Sequence, residues 1–336
     1  MGWRRLHVSN RGWVLGLAPF GLALALGGVG CADDGAAPRP PLFFPSTEDE
    51  LPASLSEWGV FPGAPAFDDT PEELVAYEPR FPLWTNGSVK IRHLALPPGA
   101  DAPEGAALEA GAFPPGTLFL KTFAYPTVGD PDQLRPLETR VMLRRVDGAW
   151  GYGSYLWNAE GTDAVRRSME EATPVEVTPP NGEPSFAHLV PSRDDCLACH
   201  ERSASVVLGY DALQLGRAPL PETVETADPT TREVVGYAVG NCTSCHNDET
   251  PDSLFDLGPA VFLESVIGQE TTTGRLRGAG IRVVPGQPED SFLYLALTGG
   301  DPFRAVPAMP PLGVERLDER AVDLFRSWIE GLPGED

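Results

Sequence analysis

Sulfur and imidazole are scarce in this chain: its 336 residues include five cysteines, five histidines and four methionines. Basic residues are also few, 25 Lys and Arg against 48 Asp and Glu, for a formal net charge of −23. Without a basic face there is no electrostatic footprint for nucleic acid, and that class of function is set aside. An acidic exterior disfavours anionic membrane surfaces and favours basic partners. Four of the five cysteines fall in two copies of one short phrase, which leaves no room for a disulfide framework if that phrase binds a cofactor. No internal repeat stands out apart from this doubled phrase. Gly and Pro, at 36 each, predict a loop-rich chain of short elements.

The phrase is C-x-x-C-H, at Cys196-Leu-Ala-Cys199-His200 and again at Cys242-Thr-Ser-Cys245-His246. This is the attachment pattern of c-type haem, in which two cysteines form thioethers to the vinyl groups and the histidine ligates iron. Cys196, Cys199, Cys242 and Cys245 are therefore the expected attachment residues. His200 and His246 are the expected iron ligands, and two covalently attached haem c groups the expected cofactors. Two rival readings stand beside this one. A four-cysteine zinc site does not require a histidine after each second cysteine, and a redox C-x-x-C belongs in a thioredoxin-like βαβ setting that the sequence does not show.

Residues 1–30 read as a secretory leader, with Arg4, Arg5 and Arg11 ahead of an uncharged apolar run from Gly12 to Gly30. The run ends in Gly-Val-Gly-Cys31, a lipoprotein-like box with Gly28 where Leu is usual. Cys31 is the expected lipidation site; an ordinary signal peptide or an uncleaved anchor are the alternatives. All three export the remainder, which carries 22 basic and 48 acidic residues, net −26. Export agrees with the doubled motif, because c-type haem is attached on the outer side of the bacterial cytoplasmic membrane. The expectation is thus a periplasmic or outer-surface protein held to a membrane by lipid.

The expected class is α+β: a β-rich domain of antiparallel sheet or sandwich type, then a mostly helical region with both haem sites. The expected boundaries are a flexible tether over 31–52, the β-rich domain over 53–190, a first haem segment over 191–228 and a second haem domain over 229–334. Period-two alternation predicts strands at 89–96, 117–125, 138–146 and 150–157, with Asp147-Gly148 as a hairpin turn. Short helices are expected at 53–61, 164–172 and 206–215, and a turn-rich passage at 173–183. A Thr-capped helix over 229–239 runs into the second motif. The C-terminal helix gathers Leu317, Val322, Leu324, Phe325, Trp328 and Ile329 on one face.

Each iron needs a second axial ligand to serve as a low-spin carrier. Met309 lies 63 residues after His246, in Val306-Pro-Ala-Met-Pro-Pro-Leu-Gly313. A proline-stiffened loop of this kind can hold a thioether at an iron, and thioether ligation raises the reduction potential. Between His200 and Cys242 there is neither His nor Met. His188, eight residues before Cys196, is the leading candidate for the first site, with His93, Met142 and Met169 behind it. An open, five-coordinate iron at His200 is the alternative.

Several phrases together carry a resemblance. They are Phe81-Pro-Leu-Trp-Thr-Asn-Gly-Ser-Val-Lys-Ile-Arg92, Phe113-Pro-Pro-Gly-Thr-Leu-Phe-Leu-Lys-Thr-Phe123, Leu137-Glu-Thr-Arg140, Tyr155-Leu-Trp-Asn158 and Val190-Pro-Ser192. In this order ahead of the first motif, the chain from Leu51 onward resembles bacterial exported dihaem c-type cytochromes with a β-rich N-terminal region. The helix before the second motif, the Met309 loop and the terminal helix resemble class I cytochromes c. The resemblance implies haem binding and electron transfer between redox partner proteins. The alternative is a dihaem peroxidase or oxidase, with an open haem at His200 fed by the His246/Met309 haem. A third reading makes the β region a ligand-binding module whose haem electrons serve a separate dehydrogenase.

Overall fold

Alternating apolar residues between turn signals give strands where the pattern places them. The computed structural model describes residues 41–61, 70–201, 203, 205–250, 255–271, 280–303 and 306–334. The expected leader, Cys31 and the first part of the tether lie outside the described residues. Six strands, β1 (Val75–Ala76), β2 (Val89–Ala95), β3 (Leu118–Thr127), β4 (Asp130–Arg144), β5 (Trp150–Trp157) and β6 (Ala164–Arg166), form one antiparallel sheet in chain order. A separate hairpin pairs β7 (Thr173–Val177) with β8 (Phe186–Val190). The chain therefore has mixed α and β content, with a large antiparallel sheet and several helices.

Both faces of the large sheet are covered, so its central strands are buried throughout rather than on alternate residues. One face packs Leu118, Leu120, Val141, Leu143 and Tyr155 against Leu51, Leu55, Trp58 and Phe61. The other packs Leu94, Phe119, Met142 and Tyr152 against Val207, Tyr210 and the half-buried Cys196 and Leu197. The first motif is thus seated directly on the sheet.

The helices are α1 (Leu55–Trp58), α2 (Gly105–Glu109), α3 (Arg193–His200), α4 (Glu222–Glu225), α5 (Pro229–Asn241), α6 (Phe262–Val266), α7 (Phe292–Leu297) and α8 (Glu319–Gly331). α5 and α8 pack together: Tyr237 meets Phe325 edge-on at 5.7 Å, and Trp328 Nε1 donates to Thr231 Oγ1 at 3.1 Å. Around this pair Leu257, Phe262, Val266 and Val283 complete a second core. Arg39–Asp336 forms one compact unit. No helix among the described residues is long and apolar enough to cross a membrane.

Five local expectations change. The latter part of the expected tether is packed, because Leu42, Phe44 and Leu51 join the first core and Trp58 Nε1 donates to the Phe43 carbonyl at 2.7 Å. The expected helix at 164–172 begins as strand β6. Asn158 closes a tight loop by accepting from Thr162 N at 2.8 Å, which returns the chain to the free edge of β5. The expected helix at 206–215 is a series of turns, since Gly209 has φ +80°, a conformation no α-helix interior accepts. The passage at 173–183 contains β7, paired residue for residue with β8. At α5 the cap is Asp228 rather than a threonine, accepting from Thr230 N and Thr231 N at 2.9 and 3.1 Å.

Candidate functional site

The first motif occupies the body of α3. Ser192 and Asp195 form a capping box: Asp195 N donates to Ser192 Oγ at 3.2 Å, and Ser192 N to Asp195 Oδ2 at 2.9 Å. One turn and a half later the helix delivers His200 beside Tyr152 of β5, ring centroids 5.7 Å apart. Its Nδ1 donates to the Val206 carbonyl at 2.7 Å. Burial lowers its pKa to about 4, against the opposing pull of that bond and with help from Lys121 and Arg140. The imidazole is therefore neutral, and its Nε2 carries the free lone pair, the tautomer suited to ligating a metal through Nε2.

The second motif follows α5. Cys245 N and His246 N both donate to the Cys242 carbonyl, at 3.1 and 2.9 Å, turning the histidine back beneath the helix end. The His246 ring lies 4.7 Å from Phe255. The Met309 segment is fastened by Met309 N donating to the Ala296 carbonyl of α7 at 2.9 Å. Gly300 makes that approach feasible: at φ +84°, a Cβ there would sit 2.5 Å from the Val306 carbonyl oxygen.

Each motif heads its own cavity. The second, of about 380 Å³, is lined by Cys242, Cys245, His246 and Met309 among apolar residues including Leu257, Phe292 and Leu297. Met309 and His246, separated by 63 residues, thus face one space. Three polar atoms of its lining, His246 Nδ1, Thr271 Oγ1 and Arg282 Nε, are buried without a hydrogen-bond partner among the described residues. A flat apolar ring system with carboxylate arms suits this donor set: sulfur and imidazole at the centre, apolar walls, and unanswered donors. The first cavity, of about 260 Å³, is lined by Cys199, His200, Arg92, Lys121 and Arg140. Neither a methionine nor a second histidine lines it among the described residues.

The two cavities share Ala198, Asn241, Cys245, Pro310, Pro311 and Leu312. Ala198 of the first motif lines the second cavity, and Cys245 of the second motif lines the first. None of the four motif cysteines is in a disulfide. Burial raises the pKa of Cys196 to about 11 and that of Cys242 to about 12, the reverse of what a reactive redox dithiol requires. Among the described residues no three His, Cys, Asp or Glu side chains are grouped as a metal-binding set.

His188 lies elsewhere. It is 1% exposed on β8, with Nε2 3.0 Å from Glu138 Oε2 and Nδ1 2.9 Å from the Tyr125 hydroxyl. Both ring nitrogens are engaged in this conformation, and His188 does not line the His200 cavity. His93 is buried against Phe61, and Met142 and Met169 pack in the cluster beneath the first motif; none of the three lines the His200 cavity.

Sequence reasoning passed over Glu138 and the cations around it. Glu138 is fully buried and accepts from Arg140 Nε and Nη2 at 2.9 Å each, and from Ser154 Oγ at 2.9 Å. Burial alone would raise its pKa; Arg140 and the bonds from His188 and Arg140 override that and hold it at about 2. The signal was present in Glu138 and Arg140, charges two apart on a strand whose neighbours are apolar on both faces.

No protein-family model matches the chain, and no curated protein or solved structure does.

Proposed function

We propose that the chain is an exported dihaem c-type cytochrome that passes electrons between redox partners outside the cytoplasmic membrane, anchored through a lipid on Cys31. The observation that carries this reading is the common wall of the two cavities. Two C-x-x-C-H motifs, 46 residues apart in sequence, head adjoining spaces divided by Ala198, Cys245 and Pro310–Leu312. Redox groups on the two motifs would be within short reach of one another, and electron exchange falls steeply with distance. Haem supplies one-electron chemistry at a potential tuned by its axial ligands.

In this reading Cys196 and Cys199 hold the first group with His200 as ligand. Cys242 and Cys245 hold the second with His246 and Met309, in a class I cytochrome c-like arrangement of α5, α8 and the Met309 loop. The packing of α5 on α8 supports that part. The acidic exterior suits basic partners, and the raised pKa values of Cys196 and Cys242 speak against a reactive redox dithiol.

A peroxidase or oxidase is favoured by one specific observation: no second His or Met lines the His200 cavity among the described residues, which suits an open iron. The ferric optical and EPR spectra of the purified protein, with its intact mass, separate these readings. Two covalent haems, both low-spin, support the carrier. A high-spin, cyanide-binding haem supports the enzyme. A polypeptide mass without haem, from a host competent to attach it, overturns both.

A further inference from the structure

Three cations stand side by side on the sheet face that floors the His200 cavity. The register sets Arg92 of β2 opposite Lys121 of β3, and Lys121 opposite Arg140 of β4. All three line the cavity. Like charges placed directly across neighbouring strands are destabilising, so such a row persists in an enclosed place only with compensation. Glu138 supplies part of it, but both its oxygens already serve Arg140, Ser154 and His188. Among the described residues Arg92 Nη1 hydrogen-bonds the Lys90 carbonyl alone, at 3.4 Å, and Glu78 offsets part of its charge at longer range.

Among the described residues no hydrogen bond or ion pair meets the Lys121 ammonium, which stands 5.2 Å from the centre of the Phe123 ring. Burial and the charges of Arg92, Arg140 and Lys90 push the Lys121 pKa well down, and burial with Arg92 and Arg140 brings Lys90 to about 7. Asp195 and Asp211 also line the cavity, but their carboxylates serve Ser192 and Gln214 N, so the three basic side chains face open volume without a bonded carboxylate of their own beyond Glu138.

We propose that Arg92, Lys121 and Arg140 form an oxyanion seat beside His200, which receives carboxylate-type oxygens in the first cavity. Two sources share that chemistry. One is the propionate arms of a haem held at Cys196 and Cys199, which rests on the reading above. The other is a small oxyanion from solution, which does not.

Lys121→Met removes the charge at similar volume, and Lys121→Arg is the conservative control. The full-length protein is titrated with sulfate, which is not a haem ligand, by calorimetry, and each haem's midpoint potential is measured. If the seat takes propionates, wild type shows no saturable sulfate binding. Lys121→Met then lowers the potential of the His200 haem by about 59 mV, a tenfold shift toward ferric, because a cation favouring the extra electron is gone. The second haem is unmoved and Lys121→Arg stays near wild type. If the seat takes a free oxyanion, wild type binds sulfate saturably and Lys121→Met weakens this tenfold or more. A Lys121→Met protein that matches wild type in both potential and sulfate binding overturns the seat. A chain that carries no haem sinks only the first source, and the sulfate titration still decides the proposal.

Discussion

Replacing Glu138 by glutamine tests the buried network that supports the floor of the first cavity. The carboxylate is fully enclosed and receives four bonds, two from Arg140 and one each from Ser154 and His188. Its pKa falls from 4.5 to about 2, and at about 1.4 kcal/mol per tenfold in proton affinity this makes the ionised form worth about 3 kcal/mol to the fold. A depressed acid contributes fully above its unfolded pKa and loses that contribution as pH falls through the folded one. Wild-type stability should therefore decline as pH drops from about 5 toward 2, with Glu138 taking up one of the protons bound on unfolding. Glu138→Gln should lose about 3 kcal/mol at neutral pH and shed that part of the acid slope. Glu138→Ala, which strands Arg140 and His188, should lose about 3–5 kcal/mol. Urea denaturation of the purified protein across this pH range measures both quantities. A glutamine variant within about 1 kcal/mol of wild type at pH 7, with an unchanged acid slope, would refute the network's role.

On the proposed dihaem reading, Met309→Ala should abolish the long-wavelength sulfur-to-iron absorption of the haem at His246 and lower its potential; a surviving band removes Met309 from the proposed ligand set. His188→Gln should leave the spin state of the first haem unchanged and lower stability by about 1–3 kcal/mol, because Glu138 and Tyr125 lose their common partner. Conversion of that haem to high spin would instead restore His188 as a ligand. Gly300→Ala, which forces a Cβ against the Val306 carbonyl at positive φ, should cost about 1–3 kcal/mol and weaken the methionine band, as read by thermal denaturation and the same spectrum.

The strands were the most legible part of the fold. Trp150–Trp157 has the bounds its aromatic pattern implies, because glycines and polar turns bracket it on both sides. The helix expected over 164–172 gives way to a strand at 164–166, because so short a segment carries little periodicity and the free edge of β5, a matter of pairing, decides it. Gly209 defeated the expected helix by conformation alone, while Val207 and Tyr210 around it are buried as a helix would bury them. At the site, Met309 could be read from its proline-rich setting, and it does share a cavity with His246. The Arg92–Lys121–Arg140 row could not, because it exists only once three strands take their register. His188 looked like a ligand through its closeness in sequence to Cys196, yet β8 turns it toward Glu138 and Tyr125.

The wall between the cavities also implies an order of assembly. Ala198 and Pro310 stand together in it although 112 positions separate them in the chain. A polypeptide made from its N-terminus presents the first motif long before the segment that closes over it exists. A group bonded to Cys199, as proposed, would meet an open face until the segment around Pro310 closes over it. By the same geometry, truncation just upstream of Pro310 unmakes both sites in a single cut.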